Sequence, residues 1–356
     1  METLELNSLN HFYKGKRVLV TGITGFKGSW LAEILDFLGA DVYGYALAPK
    51  HDTDHFNYLS FQDSTKYGDI RDEQVLRDWV FEVKPEIVFH LAAQPLVRES
   101  YRNPVYTYHT NVLGTLNLYE VCRSVGSVTC LISITTDKVY QNNEWNWPYR
   151  ENDTLGGYDP YSSSKACVEI MTSSYKNSFN DNLFKLATVR AGNVIGGGDW
   201  SEDRIVPDII RSVTKRESVI IRRPSAVRPF QHVLEPLRGY LLLAKSILED
   251  DLSIDSLNFG PSQESTTQVI DLVNAINSKW PEFEFLVDED SSIVHEAGLL
   301  KLDISQAQNK LGWAPLLNFD QTISLTVDWY KTFVNKGEVI TRSQIQDFFG
   351  PLNKSN

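Results

Sequence analysis

The sequence predicts a doubly wound α/β fold, in which a parallel sheet is covered by helices on both of its faces. In the first half of the chain, short apolar runs alternate with longer segments of helical periodicity. The apolar runs are continuous and do not alternate with polar residues, which is typical of parallel strands buried on both faces. Right-handed crossovers between such strands place ligands at the carboxyl ends of the strands.

The predicted elements become less regular toward the C-terminus. The strands predicted in the first half are 17–20, 41–46, 86–92 and 127–135, and the helices are 28–38, 73–83, 104–125 and 161–179. From about Gly192 onward, short strands such as 218–221 alternate with helices such as 267–278 and 321–334. We therefore predict a first domain over residues 1–191, to which later segments return. Residues 192–356 are expected to form mainly a smaller α/β lobe interleaved with it.

Composition and charge exclude several classes of function. The chain has 356 residues and a net charge of −12, so a general nucleic-acid-binding surface is not expected. No apolar run is long enough to cross a bilayer, and the N-terminus METLELNSLN lacks the features of a signal peptide. Cys122, Cys130 and Cys167 lie in apolar segments, and the seven histidines lack metal-ligand spacing. These features predict a cytoplasmic protein with reduced cysteines and no metal site.

A glycine-rich turn follows the first strand directly. The segment VLVTGITGFKGSWL places Gly22, Gly25 and Gly28 between that strand and the next helix. Glycine allows a tight turn and the close approach of a ligand to the backbone, and the helix N-terminus then faces a pyrophosphate. The spacing GxxGxxG differs from the commoner GxGxxG, but the strand–turn–helix context predicts a dinucleotide site of the Rossmann type.

This turn leaves the choice between NAD and NADP open. The second strand ends in neutral residues, VYGYALAPK, where an acidic residue would usually bind the ribose hydroxyls. No arginine follows that strand, which favours NAD. Asp69 is a candidate acceptor for the adenine amino group, and a role near a helix N-cap explains it equally well.

Two stretches carry candidate catalytic side chains. YSSSK places Tyr161 and Lys165 four residues apart, on one face of a helix. A nearby cation would lower the pKa of the phenol, which could then accept an alcohol proton. ITTDKVY places Thr136, Asp137 and Lys138 at the end of an apolar strand, where buried charge is costly unless it is paired or used. Taken alone, this second stretch favours a solvated surface turn.

Taken together, the glycine turn and the Tyr–Lys pair resemble the extended short-chain dehydrogenase/reductase family. HLAAQ at 90–94, Asn111 and RAGNVIGGGDW at 190–200 are similar to the nicotinamide and substrate loops of that family, and the resemblance covers nearly the whole chain. It implies NAD as the cofactor. The cofactor contacts that it implies are Gly22, Thr24, Gly25, Phe26, Lys27, Gly28, Asp69, Ile70, Leu91, Ala92, Ala93, Gln94, Asn111, Thr135, Tyr161 and Lys165.

Within that family, ITTDKVY resembles the sugar-nucleotide 4,6-dehydratases. These carry Thr-Asp-Glu where this chain has Thr136, Asp137 and Lys138, whereas epimerases lack the acid–base pair. Lysine in the third place, with GYDPYSSSK, VRAGNVIGGGDW and RPFQHVLEP, resembles the branch that acts on CDP-glucose. The implied product is the 4-keto-6-deoxy sugar nucleotide, an intermediate of deoxysugar synthesis.

The resemblance also implies how the two catalytic stretches share the reaction. Tyr161, supported by Lys165 and Thr136, would take the C4 hydroxyl proton while hydride passes to NAD⁺. Lys138 would then remove the C5 proton, and Asp137 would protonate the departing C6 oxygen. Because a close ion pair would oppose both roles, we expect the side chains of Asp137 and Lys138 to diverge.

The resemblance further implies residues that hold the nucleotide sugar. Guanidinium groups suit a diphosphate because they form bidentate hydrogen bonds. The implied substrate residues are Gln94, Asn193, Trp200, Arg204, Arg222, Arg228, Asn258 and His295. Three alternatives remain: a 4,6-dehydratase acting on a GDP or dTDP hexose, a nucleotide-sugar epimerase or simple dehydrogenase, and a non-catalytic NAD-sensing protein.

Two helices also indicate self-association. The predicted helices 104–125 and 161–179 carry apolar residues on more than one face, among them Val112, Leu116, Val168, Met171 and Tyr175. One face would pack on the sheet, and we expect the other to form a four-helix interface in a homodimer or homotetramer. A wide intramolecular face is the alternative.

Overall fold

The fold was analysed in a computed structural model, which describes residues 2–179, 184–262, 267–281, 283–288 and 298–350. The strands are β1 (Arg17–Thr21), β2 (Asp41–Ala46), β3 (Thr65–Tyr67), β4 (Ile87–His90), β5 (Cys130–Ile134), β6 (Lys185–Ala191), β7 (Val194–Ile195), β8 (Val219–Arg222), β9 (Val227–Arg228), β10 (Gln231–His232), β11 (Ser256–Phe259), β12 (Thr267–Gln268) and β13 (Phe285–Asp288). The α-helices are α1 (Glu2–Tyr13), α2 (Phe26–Phe37), α3 (Glu73–Val83), α4 (Val97–Arg102), α5 (Pro104–Tyr108), α6 (Gly114–Val125), α7 (Pro160–Phe179), α8 (Ile205–Lys215), α9 (Leu234–Glu249), α10 (Val269–Lys279), α11 (Ser305–Leu311), α12 (Phe319–Lys336) and α13 (Thr341–Phe349).

A parallel sheet forms the centre of the molecule. Within the described ranges it has seven strands, in the order β11-β6-β5-β4-β1-β2-β3. Every residue of β4 and β5 is buried, which explains why their sequences are continuously apolar. The strand order reverses between β1 and β4, and such a switch point opens a crevice at the carboxyl ends of the strands. The predicted doubly wound fold is therefore confirmed.

The predicted elements of the first half are all present, with one irregularity. The predicted helix 104–125 contains a π-helical turn, His109–Leu113, between α5 and α6. Strands β3 and β6 and helix α1 were not predicted. In β3 only Thr65 is buried, so the strand has no apolar run to mark it, and its pairing with β2 defines it instead.

The second half of the chain contributes both to the central sheet and to a separate group of short strands. β11 pairs in parallel with β6, and α9 packs on β5 and β6. The predicted strand 218–221 is β8, which pairs with β13, and the predicted helices 267–278 and 321–334 are α10 and α12. The main apolar core runs from Leu9 to Phe349, so both halves of the chain share it. Among the described helices, none combines the length and apolar character needed to cross a membrane.

Candidate active site

A cavity of about 670 Å³ opens at the carboxyl ends of the central strands. Its walls come from the N-terminus of α2, from the segment after β5, from α7 and from the second half of the chain. The structure thus brings together residues that are far apart in sequence. The predicted site residues that line it are Phe26, Lys27, Thr135, Thr136, Asp137, Lys138, Tyr161, Asn193, Arg204 and Arg228. In the described part of the chain, no cluster of three or more His, Cys, Asp or Glu could hold a metal ion.

The glycine turn beside the cavity requires glycine for steric reasons. Gly22 has φ of +73°, and a Cβ there would lie 2.7 Å from the amide nitrogen of Ala92. A Cβ on Gly28 would lie 2.1 Å from the carbonyl oxygen of Gly22. Gly25 precedes α2 without a side-chain cap on the helix, and Thr24 donates to the carbonyl oxygen of Leu47. This uncapped helix N-terminus after a glycine-rich turn fits the pyrophosphate of a dinucleotide.

Asp69 and Ile70 lie beyond the turn, after β3. The Asp69 carboxylate accepts hydrogen bonds from the Arg71 side chain at 2.7 and 3.0 Å, and this contact lowers its pKa. The N-cap of α3 is Asp72, so capping does not explain Asp69. Ile70 is buried, and its side chain fills the space that a Cβ on Gly114 would need.

The Tyr–Lys pair lies on the first turns of α7, as predicted. Burial raises the pKa of Tyr161 to about 12, while a hydrogen bond with Thr136 and the charge of Arg204 lower it. The Lys165 ammonium donates to the carbonyl oxygen of Ile134 at 2.9 Å. The expectation that Lys165 lowers the pKa of this phenol is therefore wrong for this structure, because burial outweighs the charges around the phenol and the ammonium contacts a carbonyl.

Lys165 of this pair and the neighbouring Lys27 both lie where a positive charge is unfavourable. Burial lowers the pKa of Lys165 to about 7, and the charge of Lys27 adds to this effect. Burial and the charge of Arg204 lower the pKa of Lys27 to about 8. Lys27 also lies in the first turn of α2, where the helix dipole disfavours a cation. These features favour the binding of an anionic ligand in the cavity.

Residues 136–138 form one side of the cavity in a single turn of 3₁₀ helix. Thr136 caps this turn, accepting from the Lys138 amide at 3.4 Å and donating to Asp137 Oδ1 at 3.0 Å. Asp137 is only 2% exposed, and its Oδ2 has no hydrogen-bond partner among the described residues. Burial raises the pKa of Asp137. Asp137 is thus a buried acid beside the cavity, and the alternative of a solvated surface turn is wrong for it.

The side chains of Asp137 and Lys138 do not pair. In the described chain no ion pair joins them, although the charge of Lys138 lowers the pKa of Asp137 from a distance. Lys138 is half-buried and lines the cavity. Both groups line the cavity without an ion pair between them, and the divergence of their side chains around a bound sugar stays a prediction.

Thr135 is held by a buried network that the sequence did not reveal. Its hydroxyl hydrogen-bonds to the Glu169 carboxylate and to the Val189 carbonyl oxygen. Glu169 pairs with Arg190 at 2.8 Å, and both side chains are about 4% exposed. The Thr135 hydroxyl is thus hydrogen-bonded within the protein. Glu169 follows Lys165 by four residues, and this helical spacing was the available signal for it.

Asn111 and Gln94 are used internally and do not line the cavity. Asn111 is fully buried, and its side chain accepts from the Gln94 amide at 2.8 Å and donates to the Gln94 carbonyl oxygen at 3.2 Å. Its amide also donates to Ser164 Oγ on α7 at 2.8 Å. The Gln94 side chain contacts Leu96 and Thr107. These contacts hold Leu91, Ala92 and Ala93, all half-buried, against the glycine turn.

The predicted substrate residues fall into two groups. Arg204, paired with Asp199 at 3.0 Å, lines the cavity together with Asn193 and Arg228. Trp200 packs on aromatic rings of α12 instead of lining the cavity. The side chain of Arg222 and the whole of His295 lie outside the described residues.

Asn258 is a structural residue in this fold. It is fully buried, and its amide donates to the carbonyl oxygens of Tyr149 and Asp303 at 2.9 and 3.1 Å. Its side-chain oxygen accepts from the Tyr140 hydroxyl at 2.7 Å. The prediction of a substrate contact is therefore corrected, since these three partners satisfy its side chain away from the cavity.

Comparisons with known proteins agree with this geometry. The family model described as GDP-mannose 4,6 dehydratase matches residues 19–326. A CDP-glucose 4,6-dehydratase of Salmonella typhimurium is 45% identical over 97% of this chain and 99% of its own length. A solved epimerase of Methanothermobacter thermautotrophicus has a TM-score of 0.81 at 24% identity, covering 93% of this chain and 96% of the epimerase. A UDP-glucose 4-epimerase of Thermus thermophilus, in complex with NAD, has a TM-score of 0.76 at 26% identity, covering 88% and 99%.

Proposed function

The chain belongs to the GDP-mannose 4,6-dehydratase family, and we propose that within it the protein is a CDP-glucose 4,6-dehydratase. It is an enzyme that converts CDP-glucose to CDP-4-dehydro-6-deoxyglucose and water. The observation that carries this proposal is the buried acid Asp137, which shares one cavity with Tyr161. Removal of water needs such an acid in addition to Tyr161 and the cofactor, which oxidise C4, whereas epimerisation or simple oxidation at C4 does not. The choice of CDP-glucose rests on the relative with 45% identity.

We infer that the cofactor is NAD. The tight turn that Gly22 and Gly28 allow leads into the uncapped N-terminus of α2, which suits a pyrophosphate, and β2 ends without an arginine for a 2′-phosphate. A structural neighbour at 26% identity was solved with NAD. When bound, the oxidised nicotinamide takes hydride from C4 of the hexose and later returns it. Gly22, Gly25 and Gly28 would hold the pyrophosphate.

Tyr161 is proposed to accept the C4 hydroxyl proton. Burial raises its pKa to about 12, so the phenolate needs support at the moment of transfer. The positive charge of Arg204 favours the phenolate, and Thr136 would favour it too when its hydroxyl proton turns from Asp137 to the phenol oxygen. Lys165, whose pKa is lowered to about 7, holds the Ile134 carbonyl oxygen and so orients the strand end beneath the cavity. Removing these supports should slow the first step.

Asp137 and Lys138 are proposed to carry out the elimination. Once C4 is a ketone, the proton on C5 becomes acidic, and Lys138 takes it. The bond between C6 and its oxygen breaks, and Asp137 gives that oxygen the proton that completes a water molecule. Burial raises the pKa of Asp137 and so favours the protonated form that this step needs. Return of hydride to C6 and of the proton to C5 completes the turnover.

The second lobe, residues 192–356, is proposed to bind the nucleotide sugar. Arg204 and Arg228 line the cavity and would face the diphosphate, and Asn193 lines the same cavity. The protein carries a net charge of −12, so local arginines are needed to attract an anionic substrate. The half-buried Lys27 adds a further cation to the same cavity.

We propose a homodimer or homotetramer built through the outer faces of α5, α6 and α7. Val168 and Tyr175 are buried within the subunit, so they do not contribute to an interface as the sequence suggested. Val105 on α5, Leu113 in the π-helical turn before α6 and Ile170 on α7 are 69%, 47% and 59% exposed. Three apolar side chains of this size on neighbouring helices support burial against a second copy.

A cytoplasmic location is also proposed. Cys122, Cys130 and Cys167 are free thiols, and burial raises the pKa of the first two. Unpaired, buried thiols suit a reducing compartment. Alkylation of the denatured protein, taken directly from cells, should label all three.

The proposed activity is tested by incubating the purified protein and catalytic NAD with CDP-glucose, dTDP-glucose or GDP-mannose. A 4-keto-6-deoxy product from CDP-glucose, without net NADH, supports the proposal. Stoichiometric NADH would indicate a simple dehydrogenase, and a C4 epimer without water loss would indicate an epimerase. Preference for another nucleotide would overturn only the choice of base. Tyr161→Phe is the matched control, because it keeps the ring and should abolish product.

A further inference from the structure

One buried histidine, which is not among the predicted site residues, lies at the end of β4, one of the two strands at the switch point. His90 is the last residue of β4 and is only 1% exposed. Its Nδ1 is 2.7 Å from the Thr21 hydroxyl at the end of β1, and its Nε2 is 2.8 Å from the Thr115 hydroxyl on α6. Both ring nitrogens are therefore used, by hydroxyls from opposite sides of the ring.

The direction of these hydrogen bonds follows from their outer partners. Thr115 donates its single proton to the Asn111 carbonyl oxygen at 2.6 Å, so it must accept from His90 Nε2. Burial and the charge of Lys165 lower the pKa of His90 to about 3, so the ring is neutral and Nδ1 is an acceptor. Thr21 then donates to Nδ1, and its oxygen accepts from the Ala92 amide at 3.2 Å. The tautomer is thereby fixed.

Both ends of this chain of hydrogen bonds reach residues 91–94, the cofactor loop. One end is the amide of Ala92 itself. The other end is the carbonyl of Asn111 in the π-helical turn, whose side chain bonds to the amide and carbonyl of Gln94 and to Ser164 on α7. The cofactor loop is thus held at its second and fourth residues, and both constraints lead back to one imidazole.

We propose that His90 is a positioning residue, which sets the distance between the cofactor loop and the glycine turn through its two hydroxyl partners. This distance matters because the backbone of Ala92 lies so close to Gly22 that even one added carbon atom would collide with it. A dinucleotide bound at the turn would lie beside this contact, so a shift of the loop would alter its binding. The inference rests on the proposed NAD site.

The chain contains a closely matched control for this proposal. His55 is 2% exposed, its pKa is also lowered to about 3 by burial, and its two nitrogens contact Ser29 and Thr341 hydroxyls at 2.7 Å. Each threonine has one further partner, although the directions differ: Thr341 accepts from Trp329, whereas Thr115 donates to the Asn111 carbonyl oxygen. His55 does not line the cavity, and its partners tie α2 to α13. Thr115→Val and Thr341→Val therefore each delete a hydroxyl that contacts a buried imidazole and one further group, and only the first hydroxyl is linked to the cofactor loop.

The test compares these two valine variants, together with His90→Gln and His90→Leu, with the wild-type full-length protein. Melting temperature reports the structural cost, and titration of NAD-free protein with NAD, followed by calorimetry, reports cofactor binding. We expect Thr115→Val and Thr341→Val to lower the melting temperature by similar amounts. Only Thr115→Val should weaken NAD binding, by about tenfold, as expected for one lost buried hydrogen bond. His90→Gln retains a donor and an acceptor and should recover part of the affinity relative to His90→Leu.

The outcomes separate this inference from the proposed function. If the wild type does not bind NAD, the cofactor assignment itself is wrong. If the wild type binds NAD and Thr115→Val binds it equally well despite a lower melting temperature, His90 has only a structural role. Equal weakening by Thr341→Val would also overturn the proposal, because the effect would then follow from general destabilisation.

Discussion

Replacing Glu235 with glutamine should stabilise the protein at high pH, although it removes a charge that contacts two amides. Glu235 lies in α9 and is 1% exposed. Its Oε1 accepts from the amides of Leu316 and Leu317 at 2.8 and 2.6 Å, and its Oε2 has no partner among the described residues. Burial raises its pKa from the usual 4.5 to about 7, more than these contacts lower it.

The sign of the effect follows from the raised pKa. The folded protein holds the Glu235 proton more tightly than the unfolded chain, so the carboxyl favours folding below pH 4.5. This contribution is lost as the pH rises toward 7. The shift corresponds to about 3 kcal/mol in the free energy of unfolding, of which about 2 kcal/mol falls between about pH 5.5 and about pH 8. Glutamine keeps the acceptor for both amides and cannot ionise.

Urea unfolding of wild type and Glu235→Gln at matched pH values measures this difference. Other titrating groups are common to both proteins and cancel in the comparison. The two stabilities should lie close together at about pH 4, and the variant should be more stable than wild type by about 1 kcal/mol at about pH 5.5 and by about 3 kcal/mol at about pH 8. Glu338→Gln, at an exposed position, is the control and should show no such divergence. A constant gap between the Glu235→Gln and wild-type curves would refute the assignment of a buried, protonated carboxyl.

The remaining predictions concern the reaction, the substrate and assembly. Asp137→Asn and Lys138→Ala should still reduce bound NAD after rapid mixing with CDP-glucose, but form the 6-deoxy product ~10²–10⁴-fold more slowly; turnover by Lys138→Ala at the wild-type rate would show that this lysine is not the base. Arg228→Met should raise KM for CDP-glucose with little change in melting temperature. Asn258→Ala should instead lower the melting temperature, because it leaves buried carbonyl groups without donors. The reverse pattern would indicate that Asn258 contacts the substrate after all. Ile170→Asp should reduce the mass measured by light scattering to that of a monomer, and an unchanged oligomer would exclude an interface at this position.

The features that sequence reasoning predicted correctly depend on residues close together along the chain. The glycine turn is defined within seven residues, from Gly22 to Gly28, and its position after an apolar strand predicted the crevice. The pair Tyr161 and Lys165 follows from helical spacing, and both residues lie on α7, four positions apart. Strands buried on both faces are continuously apolar, so the strands β1, β4 and β5 were found from composition alone.

Other properties of the site were decided only by contacts between distant segments. His90 gains its role from Thr21, 69 residues before it, and from Thr115, 25 residues after it. Asn258 resembled a ligand contact until Tyr140, 118 residues away, was seen to satisfy its side chain. No local pattern records such partners, because a hydrogen bond depends on distance in space and not on separation along the chain.

The chemistry of the catalytic groups likewise depends partly on local sequence and partly on tertiary structure. Sequence alone placed an acid, a base and a phenol at one strand end and one helix, because residue type and spacing are local properties. Whether Asp137 holds a proton depends on how much water the whole fold excludes from it, and its pKa is raised because surrounding segments bury it almost completely. Lys165 was expected to act on Tyr161, but it contacts Ile134, since the packing of α7 against β5 determines where the ammonium lies. Burial and orientation belong to the assembled core, so only the tertiary structure could decide them.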